Sequence, residues 1–199
     1  ANTGASTWSG APTSTSGVLF TTSAAITIGT KSGCVWGSIV QSAGVITLND
    51  SVYTTNATLG ALWSTGGARR LYVKGNLVGG TITGPSGTPI VVMAGTGTFG
   101  TTSLTLGIDV EIDTAGTITF GADVKLGTSA KTLTYITGTV DTNNCVLGVF
   151  GSFGLNTSGI TINTLDVSGT TTLTLTSALN VTTFSNKRAV LTIVGAYGL

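Results

Sequence analysis

The sequence predicts an all-β chain whose second half is a β-solenoid-like stack of similar strands. Three observations point there. A hydrophobic–threonine–hydrophobic triplet recurs as Ile26-Thr27-Ile28, Ile46-Thr47-Leu48, Leu104-Thr105-Leu106, Ile118-Thr119-Phe120, Leu133-Thr134-Tyr135, Ile160-Thr161-Ile162, Leu173-Thr174-Leu175 and Leu191-Thr192-Ile193. Each triplet has the period of two that places one side chain outward between two inward ones. The spacing then tightens: triplets begin at 104, 118 and 133, then at 160 and 173, with Val146-Leu147 filling the gap, so the step is about 14 residues, or about 28 if two strands make one rung. Finally, 30 glycines, 41 threonines and only 3 prolines in 199 residues suit extended β-branched backbone with many turns.

Residues 1–17 are almost wholly small or polar, with Trp8 the one large side chain. They read as an N-terminal arm, either flexible or ordered against a neighbouring subunit with Trp8 as its interface anchor. Residues 18–100 hold less regular strands. The expected ones are 18–20, 25–28, 35–40, 44–48, 70–73, 77–83 and 90–93, with turns at Gly66-Gly67, Gly79-Gly80 and Gly84-Pro85-Ser86-Gly87. Residues 58–63 are the only stretch suited to a helical turn.

Residues 101–199 form the regular β region. Residues 103–113 align with 117–127 at a shift of 14, pairing Gly107 with Gly121, Asp109 with Asp123 and Val110 with Val124. Leu104, Leu106, Val110, Ile118, Phe120, Val124, Leu133, Leu173 and Leu175 belong to the predicted inward row. Two architectures fit. In one, Gly107 and Gly121 bend each run along the rungs of a parallel solenoid. In the other, the polar connectors are hairpins of an antiparallel β-sandwich or meander.

Charge and titratable content exclude much chemistry. Charged residues are 8% of the chain, against roughly 25% in ordinary domains, and the net charge is +1. No field is present to steer nucleic acid or an anionic membrane. No apolar stretch is long enough for a membrane-spanning helix, and residues 1–8 carry no leader-like basic and apolar regions. The chain has no histidine, which removes Ser-His-Asp and Cys-His catalysis and histidine-ligated metals. Gly95 to Gly100 matches a Gly-x-Gly-x-x-Gly spacing, but a strand rather than a helix follows it, so it is no dinucleotide loop. Cys34 and Cys145 read as two buried free thiols rather than a disulfide. No cofactor is expected.

The remaining chemistry sits in few places. Asp109, Glu111 and Asp113 alternate with Val110 and Ile112 and therefore share one face of a strand, with Asp123 near by. Such a row can be a solvated face, a calcium site or a pair of glycosidase carboxylates. The solvated face is preferred, because Lys125 matches Glu111 in the internal alignment and relieves its charge. Arg69, Arg70, Tyr72 and Lys74 form the one basic cluster, too small for a nucleic-acid footprint. Trp36 and Trp63 read as core rather than as platforms for sugar rings.

In its Thr/Gly/Ser-rich, charge-poor β repeats the chain resembles phage and viral virion proteins such as tail fibres, spikes and head-decoration proteins. It also resembles autotransporter and filamentous adhesin passengers of bacteria. Residues 33–40 followed by 44–51 look like a strand–turn–strand phrase of small phage head and tail proteins. The resemblance implies a non-enzymatic structural component of a virus or phage particle, located in the virion. Its partners would be further copies of itself and other virion proteins. The alternatives are a bacterial surface or secreted adhesin that contacts a host-surface glycan and, further off, an ice-binding protein suggested by rows of outward threonines.

Overall fold

The computed structural model describes residues 19–22, 25–28, 35–84, 88–126, 133–143, 145–155, 161–175, 180–186 and 191–194. The arm of residues 1–17 with Trp8, and Cys34, lie outside them. Every pairing between strands in the described residues is parallel. The solenoid expectation therefore holds and the antiparallel sandwich or meander does not. No helix is present there either, and the expected turn at 58–63 is instead the end of strand Val52–Thr58 and the start of Leu62–Ser64.

The registers resolve into three ladders. One column of Cα partners runs Val35, Tyr53, Tyr72, Val92, Glu111, Thr134, Gly154, Thr174, Val194. A second ladder carries Thr22, Gln41 and, further on, Phe99 on Phe120. A third stacks Thr81, Thr105 and Lys125. Long strands such as Asp109–Phe120 turn a corner and serve two ladders, so most strands join one 16-stranded sheet, beside a 3-stranded sheet of Ile26–Ile28, Ile46–Leu48 and Leu62–Ser64. Among the described residues the stacking runs from Leu19–Thr22 onward and passes residue 100, joining Thr88–Met93 to Asp109–Phe120.

The interior follows the alternation of the sequence. Leu104, Leu106, Val110, Ile118, Phe120 and Val124 are all fully buried in one apolar core. The strands bearing Leu133, Leu173 and Leu175 belong to the ladders, but those side chains lie outside the described ones. Phe99 and Phe120 meet edge to face at 5.6 Å in adjacent rungs. A stack of this kind buries each strand only against its neighbours, so apolar contact between rungs is its main stabilisation.

The offset that aligns Gly107 with Gly121 is not the length of a rung. Ile46 pairs with Leu62, whereas Thr81 pairs with Thr105, so one turn of the stack takes many more residues than another. Residues 103–113 and 117–127 resemble each other because both alternate, although Leu104 and Ile118 lie on different ladders of the stack. The bends do fall at the expected glycines. Strand Leu104–Gly107 ends at one, and Gly121 follows Phe120 where a Cβ would collide with the carbonyl of Gly100 in the rung before. Gly100 itself has φ of 75°, a conformation that glycine adopts without a steric penalty.

Turning a corner leaves backbone groups outside the ladder, and these must be bonded elsewhere. At one corner Ser38, Asn56, Asn76 and Thr98 form a polar ladder. Asn56 Nδ2 donates to Ser38 Oγ at 3.4 Å, Asn76 N donates to Asn56 Oδ1 at 2.9 Å, and Thr98 N donates to Asn76 Oδ1 at 2.9 Å. At the next, buried Gln41 fills four roles. Its Nε2 donates to the carbonyls of Gly44 (2.7 Å) and Ala61 (3.0 Å), while its Oε1 accepts from the N–H groups of Gly60 (2.8 Å) and Ala61 (3.1 Å). Ser64 Oγ donates to Gly67 O at 2.7 Å and accepts from Thr88 N at 3.0 Å.

Candidate functional site

The side chains with chemistry gather on the outer face of the first ladder. Its inward positions there are Leu71, Val73, Val91, Met93, Val110 and Ile112, all buried. The alternation of a strand then sends Arg70 and Tyr72 outward in one rung, Ile90 and Val92 in the next, and Asp109 and Glu111 in the one after. Tyr53 stands in the rung before, and its ring stacks on that of Tyr72 at 4.4 Å with an interplanar angle of 8°. The stack leaves Tyr53 exposed and Tyr72 half-buried. Burial, followed by the neighbouring Tyr53, pushes the Tyr72 hydroxyl above the usual tyrosine range.

Arg70 reaches across two rungs to Glu111. Its Nε donates to Oε2 at 3.0 Å and its Nη2 to Oε1 at 2.9 Å, a two-pronged pair that occupies both carboxylate oxygens. Adjacent strands lie about 4.8 Å apart, so the two strands are roughly 10 Å apart, a gap that the long arginine and glutamate side chains close together. The bond to Glu111 raises the Arg70 pKa. Side-chain exposure of 37% for Arg70 and 19% for Glu111 keeps the pair's own contribution small. Val92, in the intervening rung, is nonetheless only 1% exposed while pointing away from the core.

The acidic row thus stands as the alternation predicted, with Asp109 and Glu111 half-buried and Asp113 exposed. The cation beside it differs from the expected one. Lys125 pairs with Thr105 on the third ladder, and Glu111 is met by Arg70, which lies in an earlier part of the chain. No fixed spacing marks that partner. Arg70 stacks on Ile90 and Ile90 on Asp109, and the connections that close those rungs are unlike in sequence. Each Glu111 oxygen accepts one hydrogen bond from Arg70 and keeps a further lone pair. Among the described residues no three His, Cys, Asp or Glu side chains come together as a metal site.

The remaining candidates are separate from this face. Trp36 is buried in the core. Trp63 is half-buried in the 3-stranded sheet beside Thr47, its ring N–H enclosed without a hydrogen-bond acceptor. Gly97–Phe99 is a strand held between Leu77 and the segment 118–120, as expected of a spacing that is not a phosphate loop. Cys145 is a free thiol, half-buried rather than buried, with its Sγ 3.5 Å from Asn143 O and 3.7 Å from Phe120 O. Burial first, then Asp123 and Asp141, pushes that thiol's pKa up. A raised pKa disfavours the reactive thiolate.

No protein-family model, no curated protein and no solved structure matches the chain.

Proposed function

We propose that the protein is a non-enzymatic structural component of a virus or phage particle, of the decoration, fibre or tail type, that acts by assembling with copies of itself. One observation carries this reading: a parallel ladder joins partners from Val35 to Val194, and as far as Leu147 its turns enclose an apolar core. Such a stack is a stiff, extended support with flat sides, suited to repeated contacts. Its few charges suit sides that are covered by sister subunits, since an unpaired charge is costly to bury. The carboxylate with most of the chemistry, Glu111, is tied to Arg70.

The test is antibody labelling of purified particles from the organism that encodes the chain. Gold label on particles supports the reading, and label confined to the bacterial surface replaces it with the adhesin. The adhesin reading draws on the exposed, stacked ring of Tyr53, a platform of the kind that sugars use. The ice-binding reading has less behind it. The threonine column through Thr27 and Thr47 stops at Trp63, and that through Thr81 and Thr105 stops at Lys125.

A further inference from the structure

Among the described residues, the outer face of the first ladder carries five charged side chains, Arg70, Lys74, Asp109, Glu111 and Asp113, and it orders them by rung. Arg70 and Lys74 flank Tyr72. The next rung, with Ile90 and Val92, is uncharged. The one beyond holds Asp109, Glu111 and Asp113. Lys74 and Ala94 continue the parallel pattern past the strand ends, with Lys74 N donating to Thr54 O at 2.9 Å and Ala94 N to Val73 O at 2.8 Å. Position 74 therefore lies in the same column as 94 and 113, two rungs from Asp113.

Two copies can place this face against itself about a two-fold axis in two ways. With the axis along the stack, each rung meets its own copy, cation on cation and acid on acid. With the axis along the strands, the two stacks run antiparallel and the uncharged rung meets itself. The cationic rung then lies over the acidic one. Position along the strand is preserved in that second arrangement, so Lys74 comes opposite Asp113 of the second copy at both edges. Like charges brought together are costly and opposite charges favourable, so the charge order selects the antiparallel arrangement. Arg70 and Glu111 already hold each other and leave the middle of the face neutral. Lys74 and Asp113 are exposed, and neither is in an ion pair among the described residues.

We propose that this face is a self-complementary contact that joins two copies of the chain antiparallel, each Lys74 opposite the other copy's Asp113. The inference rests on the homo-oligomeric part of the function proposed above and names the surface. Sedimentation velocity of the full chain tests it. Lys74→Glu alone and Asp113→Lys alone should each weaken self-association by at least about tenfold, because each reversal sets like charges together at both edges. Mixing the two variants in equal amounts should restore a dimer, because each mixed pair has opposite charges at both edges. Both positions are exposed, and unchanged circular dichroism of the variants shows that the fold is kept. Self-association that ignores both reversals overturns this face while leaving assembly through another surface. A monomeric wild-type chain at high concentration overturns both, and particle labelling still decides membership of the particle by itself.

Discussion

Residues 35–83 and residues 104–126 build the same three-sided turns from unlike sequences. The later stretch alternates almost without exception, with Leu104, Leu106, Ile108, Val110 and Ile112 all buried. The earlier one buries Trp36, Gln41, Thr54 and Ser64 among its aliphatic residues. It compensates with side-chain hydrogen bonds, as when buried Thr54 Oγ1 donates to Asn56 O at 2.8 Å and Gln41 serves four backbone groups. A rung therefore demands two things: that inward positions be filled and that corner backbone be bonded. Apolar regularity is one way to meet them and polar plugs are another, since a satisfied buried polar group costs little.

The largest effect is expected in the regular stretch. Phe120→Ala should destabilise the chain by about 3–5 kcal/mol, because a fully buried ring in contact with Phe99 leaves a cavity. Urea unfolding followed by circular dichroism measures it, and a loss below about 1 kcal/mol would mean that the rung collapses to fill the space. In the irregular stretch, Gln41→Ala should cost about 2–3 kcal/mol in the same assay, because it strips the partner from the Gly60 and Ala61 N–H groups at once. A neutral result there would show that water bonds the corner and that polar plugs are dispensable.

The outer face should be far more tolerant. Glu111→Gln combined with Asp109→Asn should leave strand content intact and cost no more than about 1 kcal/mol, since a partly exposed ion pair contributes little. A larger loss would make the Arg70–Glu111 bridge part of the structural frame. The smallest effect is expected at Cys145. With Cys34→Ser present to isolate it, Cys145 should react with iodoacetamide more slowly than an exposed cysteine at pH 8, because its thiol is held protonated. The linkage runs the same way. The raised pKa makes a contribution to stability that is present below the ordinary thiol range and is lost as pH rises through the folded value.

Much of the fold was legible locally. Strand character, the inward set from Leu104 to Val124 and the bends at Gly107 and Gly121 all follow from alternation and turn residues. Strands Val52–Thr58, Leu62–Ser64 and Gly97–Phe99 were not, because Asn56, Trp63 and the flanking glycines blur the period of two. Of the candidate face, the acidic row was legible, since Asp109, Glu111 and Asp113 sit two apart. Its cation was not. The internal alignment that matches Gly107 with Gly121 pointed to Lys125, which stacks on Thr105 instead.

The sequence by itself determined which way each side chain faces along its own strand, because that depends only on neighbours two positions apart. It also determined the apolar inward set from Leu104 to Val124 and that the face of the acidic row is outward. Only the tertiary structure decided which rung lies on which. The corners vary in length, so the step from Ile46 to Leu62 is shorter than that from Thr81 to Thr105 and no constant period can be read along the chain. The pairing of Arg70 with Glu111, the stack of Tyr53 on Tyr72 and the order of cationic, neutral and acidic rungs all arise from those steps. They join residues that share a column only after the corners between them have been closed by Asn56, Asn76 and Gln41.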